Sequence, residues 1–364
     1  MSGFPMLDNI VAQPESHRGV VEHCLGKQRA TLIACAAQLR ACRGRIIFSG
    51  MGASLFAALP AVSRLEQQGY RAQAAESSEL LHYGAAGLRR GDVGVLISRS
   101  GGSIEVLRLA ERMRSDGIPL IGITNLADSP LAFGTDICLV LGAQPDQLIA
   151  IQTYSGTLLG LLLLAEEVIS GESAQLGNAC LTCLPVLSEF IEQNLHVSEG
   201  WRDLFDAPGA LYLMGRGQAL ASVHEGALLL HETAKVPAIA ISSGQFRHGP
   251  VEVVSDSFRA VIFGSPPLTR GMDRSLAGDL VKMGAKVRWI GPAVETDRVQ
   301  SLVAWPPLGP DSALAAIFEI VPLQVAAYRL ALWRGITPGD FRYASEVTAE
   351  ESGFPFFDSK SARV

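Results

Sequence analysis

The stretch GRIIFSGMGASLFAALPAVSRLEQQG, residues 44–69, decides the fold. A short β-branched run ends in glycine, a Gly-x-Gly turn follows, and small residues lead into a long helical pattern. That order reads as a buried strand, a tight turn and a helix. It returns at 209–234 as GALYLMGRGQALASVHEGALLLHETA. The neighbours return with it. FRAVIFGSPP (258–267) takes the place of GDVGVLISRSGG (91–102), and AKVRWIGP (285–292) takes the place of IPLIGITN (118–125). The chain is an internal duplication of one α/β unit.

Outward from these stretches, residues 16–43 carry a helical pattern, ICLVLG (137–142) reads as a strand, and 151–169 reads as a long helix. The small polar run SGESAQLGN (170–178) leads into a further helix. Strands that alternate with helices form a parallel sheet covered on both faces. The expected fold is α/β, with two tandem units, each a flavodoxin-like parallel sheet with helices on both faces. The expected division is a helical segment at 1–43, a first unit at 44–172, a connecting helix at 173–200, a second unit at 201–338 and a tail at 339–364.

Composition removes several classes. Of 364 residues, 48% are hydrophobic and 18% charged, so the chain can bury a large core and disorder is not expected. A net charge of −6 without a basic block argues against nucleic acid or an anionic membrane as partner. The apolar run GTLLGLLLLAEEVI (156–169) is too short to span a bilayer and is interrupted by Glu166 and Glu167. The opening MSGFPMLDNIVAQPESHRG lacks the pattern of a signal peptide, so a cytoplasmic protein is expected. Cys180 and Cys183 form a CxxC without a second ligand pair, and the six cysteines read as free thiols.

Ligands of such sheets bind outside the carboxyl ends of the strands. There LISRSGGSIEV (96–106) places Ser98, Ser100 and Ser103 around Gly101-Gly102. Hydroxyls, freed N–H groups and a helix N-terminus suit an anion, and the glycines let backbone approach it. The ordinary explanation of one such serine is a helix cap; three in six residues after a strand point to phosphate. The turn SGMGAS (49–54) brings Gly52, Ala53 and Ser54 toward the same place. It lacks the third glycine and distant acid of a dinucleotide site. The second copy keeps only Ser265, before Pro266 and Pro267, so one phosphate site is expected.

These residues carry a resemblance. SRSGGSIEV resembles the phosphate loop of SIS domains, the sugar-phosphate isomerase fold. EGALLLHETA…SSGQFRHGP (225–250) resembles a segment of the isomerase half of glucosamine-6-phosphate synthase, and of fructosamine-6-phosphate deglycases and amino-sugar-phosphate deaminase/isomerases. The resemblance implies tandem SIS domains and a C1/C2 proton transfer on an amino-sugar or ketosamine 6-phosphate. It implies Glu232 as the enolising base and His248 as the ring-opening group, supplied across a homodimer with shared sites. A half-dry carboxyl suits the base role and histidine suits proton delivery to oxygen or amine. Glu225 holds a matching, supporting position. Arg99 stands where relatives often carry glutamine, and would add a charged donor if it turned inward. Gln152 and Thr153 are expected pocket groups; Tyr154 replaces a family lysine. No cofactor is implied. The pair His224 and His231 has no carboxylate cluster, so no metal is expected.

The family's tail lysine is also displaced: its position falls near Ser345, beside Glu346, with Lys360 far beyond. With the opening MSGFPM, the synthase's glutamine-hydrolysing domain is not expected. A non-catalytic phosphosugar sensor is the alternative, and it lacks a basic DNA-binding segment. A nicotinamide oxidoreductase fits the α/β class but not the serine loop.

Overall fold

The computed structural model describes residues 4–147, 149–293, 299–308, 313–343, 348, 350 and 351. It contains two five-stranded sheets, all of whose strand pairs are parallel. In the first, β1 (Ile46–Gly50), β2 (Ala72–Glu76), β3 (Val93–Ile97), β4 (Leu120–Thr124) and β5 (Ile137–Val140) lie in the order β2-β1-β3-β4-β5. In the second, β6 (Leu211–Gly215), β7 (Ala238–Ser242), β8 (Arg259–Phe263), β9 (Lys286–Ile290) and β10 (Gln300–Ser301) lie in the order β7-β6-β8-β9-β10. The two orders are the same, as the duplication requires. Central strands β1, β3, β4 and β8 are buried along their whole length, which is why they read as unbroken apolar runs.

In each sheet the chain leaves the first strand to one side and returns on the other, so a crevice opens between β1 and β3, and between β6 and β8. The helix Gln152–Ile169 packs against helices Gln13–Leu25, Arg29–Arg40, Leu59–Gln67 and Ser173–Val197. Leu158, Leu159 and Leu161 to Leu164 are all fully buried on it. One core cluster runs from it to the helix Val321–Trp333 and takes residues from both units. The apolar helical stretch Ala315–Trp333 is long enough to cross a membrane, but it lies inside this core.

The helical pattern at 16–43 falls on two helices, Gln13–Leu25 and Arg29–Arg40, and a further helix, Pro5–Val11, precedes them. Pro5 and Pro14 sit in first turns, where a missing N–H costs nothing. Gly26 breaks the third from the second, since a side chain there would stand 2.5 Å from the Glu22 carbonyl. β2 has the sequence AQAAE and no β-branched residue, so its strand character comes from pairing with β1 and not from its own propensity. Cys180 and Cys183 are free thiols on one helix, and burial pushes Cys180 up to about 12. His231 Nε2 accepts the Ala238 N–H at 3.1 Å and His224 stacks on Phe56, so both histidines have structural roles. No cluster of metal-ligating groups occurs among the described residues.

His17 is fully buried and both ring nitrogens lack partners. Burial lowers its pKa from 6.5 to about 4. The unfolded chain therefore binds a proton that the folded chain refuses between these values. Stability is complete above about 6.5 and is lost as pH falls toward about 4. Urea unfolding at pH 7 and pH 5 should show His17 costing the wild type about 2 kcal/mol, a loss that His17→Phe is spared. Equal losses in both proteins would refute this.

Candidate active site

The crevice beyond β1 and β3 is a cavity of about 310 Å³. Gly52, Ala53, Ser54, Ser98, Arg99, Ser100 and Ser103 all line it. Its other wall comes from the second unit, through Leu228 and Glu232, and its rim from the tail, through Phe341 and Thr348. Thr153, Tyr154 and Thr157 close the floor from the helix Gln152–Ile169.

The serine loop gathers several small polar groups at one end of the cavity. Ser98 Oγ and Ser103 Oγ stand 3.0 Å apart, and Ser100 Oγ accepts the Gly102 N–H at 3.2 Å. Ser103 is the cap residue of the helix Ile104–Ser115, yet its side chain makes no capping bond. The simple helix-cap explanation is therefore not what the hydroxyl does. Gly101 has φ +64°, and a side chain there would meet Ser129 Oγ at 2.2 Å. Gly101→Ala should cost about 2–4 kcal/mol in urea unfolding, from left-handed strain and the clash together. A loss below about 1 kcal/mol would mean that the loop tolerates another path.

Arg99 also lines the pocket, although Ser98 and Ser100 flank it. β3 ends at Ile97, so the strict alternation of a strand no longer applies. Glu232 lies on the turn of π-helix Leu230–Ala234 that ends the long helix. Burial raises its pKa from 4.5 to about 7, while Lys235 and Arg99 pull it back. Lys235 follows with φ +57°, the single non-glycine positive φ among the described residues. Its ammonium donates to the Glu232 and Asp340 carbonyls and so ties the tail to the helix end. Burial, then Arg342, lowers its pKa.

One expectation needs adjustment. Gln152 does not line the pocket. Its amide donates to Asn9 Oδ1 at 3.2 Å, because Asp146 seizes the helix start and turns Thr153 to the pocket instead. Asp146 accepts the Ile151, Gln152 and Thr153 N–H groups at 2.9, 3.0 and 2.9 Å. In sequence this residue shows only as an acid just before a long apolar run. His248 is exposed on the turn after Ser243–Phe246 and does not reach the cavity within the chain. Ser345, with Glu346 and Lys360, lies outside the described residues. Glu225 is buried beside the site, 1% exposed, and burial with the Glu232 and Asp146 charges holds its pKa well above the usual range.

The crevice of the second unit is filled by the protein's own groups. Arg216 pairs with buried Asp273 at 3.1 Å, and Arg270 donates to the Gly264 and Ser265 carbonyls at 3.0 and 2.6 Å. Pro266 and Pro267 have no N–H to offer.

Residues 38–165 match the SIS domain family. The glutamine–fructose-6-phosphate aminotransferase (isomerizing) of Pyrobaculum aerophilum is 28% identical over 96% of this chain and 58% of its own length. The chain thus spans little more than half of that curated relative. The fold matches the C-terminal domain of glucosamine-fructose-6-phosphate aminotransferase from Francisella tularensis, with a TM-score of 0.78 at 20% identity over 93% of this chain and 98% of that one. It also matches tagatose-6-phosphate ketose/aldose isomerase from Escherichia coli, with a TM-score of 0.77 at 21% identity over 93% and 95%. Residues 38–165 thus match the SIS domain model, the chain is similar to these aminotransferases along most of its length, and its two sheets are consistent with a tandem SIS arrangement.

Proposed function

We propose that this SIS-domain chain is a phosphosugar isomerase-type enzyme, acting on an amino-sugar or ketosamine 6-phosphate by proton transfer between C1 and C2. One observation carries the reading. A serine-lined anion loop and a carboxyl with a pKa of about 7 face each other across one cavity. A phosphate on Ser98, Ser100 and Ser103 would anchor the far end of a sugar, leaving its carbonyl end for the opposite wall. A base must be ionised to act yet avid for protons, and a half-dry Glu232 near neutrality meets both demands. Arg99 would add charge beside the developing enediol oxygen or the phosphate.

His248 would complete the site from a second copy of the chain, since it is exposed and outside the cavity of its own. Opening the ring or releasing an amine needs an acid that Glu232 alone does not provide. Isomerisation, deamination and amine cleavage share this first proton transfer, so the same residues serve each.

A thermal-shift screen against hexose 6-phosphates, amino-sugar 6-phosphates and 6-phospho-fructosyl amino acids tests the reading, with each hit assayed for sugar interconversion and for released ammonia or amine. Ligands raise apparent stability by mass action. Shift with turnover supports the enzyme; shift without turnover favours a sensor; no shift with any phosphosugar refutes both.

A further inference from the structure

The hydroxyls around the cavity differ in where their protons go. A serine or threonine hydroxyl has one proton to give and two lone pairs to accept with. Ser98 and Ser103 share one hydrogen bond at 3.0 Å, which uses one of their two protons. Ser100 Oγ accepts the Gly102 N–H and keeps its own proton. The serine loop therefore has two protons left for a ligand. On the floor, Thr153 Oγ1 donates to Asp146 Oδ2 at 2.5 Å, and Thr157 Oγ1 donates to the Thr153 carbonyl at 2.7 Å. Both threonines are buried, line the cavity and stand one turn apart on the helix Gln152–Ile169. Their protons are spent, so toward a ligand they can only accept. The Tyr154 phenol oxygen, between them in the chain, has essentially no accessible surface and does not meet a ligand.

Both bonds have ordinary local causes. A helical threonine commonly donates to the carbonyl four residues back. Asp146 accepts Thr153 together with three N–H groups at the helix start. Their consequence for a ligand is nevertheless the same. A phosphate brings acceptors and suits the serine loop, which still donates. The carbon chain of a sugar brings hydroxyls or an amine and suits the floor. A carbonyl or ether turned to the floor would set acceptor against acceptor, and a deoxygenated carbon would leave the lone pairs there unmet. The Asp146 carboxylate behind Thr153 polarises that hydroxyl and strengthens it as an acceptor.

We infer that Thr153 and Thr157 are specificity-determining residues that accept hydrogen bonds from a donor on the sugar carbons, a hydroxyl or an amine. The inference deepens the function proposed above and rests on it, because the phosphate must lie on the serine loop for the carbon chain to lie over the floor. It sets a direction that cavity size does not. A volume of about 310 Å³ holds many small phosphate esters. Among them the floor selects those with a donor at the carbon it meets. It rejects those that are deoxygenated, alkylated or oxidised to a carbonyl there.

Thr153→Val and Thr157→Val keep the shape of the floor and remove the acceptor, whereas Thr153→Ser and Thr157→Ser keep the acceptor. Calorimetric titration would compare inorganic phosphate, glucose 6-phosphate, glucosamine 6-phosphate and the 2-, 3- and 4-deoxy analogues of glucose 6-phosphate. In the wild type, loss of one donor should weaken binding by about 10- to 100-fold. The valine facing that donor should weaken the parent sugar by a similar factor, and deleting the donor should then cost nothing more. The serine variants should bind as the wild type does, and inorganic phosphate should bind every variant alike. A gap between glucosamine and glucose 6-phosphates that valine closes would make the donor the amine; a gap for a deoxy analogue that valine closes would make it a hydroxyl. Thr157→Val leaves every bond to Asp146 in place, so it decides the matter if Thr153→Val unfolds. Losses that simply add in every folded valine variant overturn the inference and leave the proposed function standing. Failure of the wild type to bind any hexose phosphate falls on the proposed function and takes the inference with it.

Discussion

Glu232→Gln should lower turnover by about two to four orders of magnitude, with KM moving less than about threefold. Glutamine keeps the shape and one acceptor of the side chain but cannot accept a proton from carbon. The loss should belong to the chemical step and not to binding, because in the proposed site the phosphate would sit on the serine loop and not on Glu232. The pH profile gives an independent check. Glu232 is the base only when ionised, and its pKa is raised from 4.5 to about 7. The wild-type kcat/KM should therefore climb as pH rises toward about 7 and level off above it. Stability should move the other way. A carboxyl with a raised folded pKa binds more protons folded than unfolded between 4.5 and about 7, so the fold loses stability as pH rises through that window. Glu232→Gln removes that penalty and should melt no lower than the wild type at pH 8. A variant that keeps most of its turnover, or loses it only by unfolding, would remove Glu232 from the base role.

Ser100→Ala combined with Ser103→Ala should weaken phosphosugar binding by about two to four orders of magnitude, at about 1.5–3 kcal/mol for each hydrogen bond to a charged group. Both hydroxyls line the cavity, and Ser103 has no capping bond to lose in the helix it begins. The unliganded fold should therefore change little, whereas the ligand-induced thermal shift should vanish. Inorganic phosphate should lose its shift as well, since the loop answers the phosphate and not the sugar. An unchanged shift would place the anion elsewhere, and the filled second crevice offers no ready substitute.

The duplicated pattern of strand, glycine turn and helix was enough to show two parallel sheets, because buried central strands such as IIFSG must be apolar throughout. The serine loop was legible for a similar local reason. Small hydroxyls, glycine and a helix start within six residues form a donor-rich loop from local sequence alone. β2 was not legible, since AQAAE becomes a strand only beside β1. Gln152 and Thr153 could not be told apart in sequence, because the Asp146 cap fixes the rotation of their helix. Glu232 as a carboxylate beside lysine says nothing of its acidity; the wall of the second unit dries it, and drying raises its pKa to about 7. Sequence by itself determined the elements and the cluster of small donors in the serine loop, which depend on neighbours along the chain. Only the tertiary structure decided which acid lines the cavity with the serines and how far it is desolvated, because desolvation is set by groups that are distant in sequence.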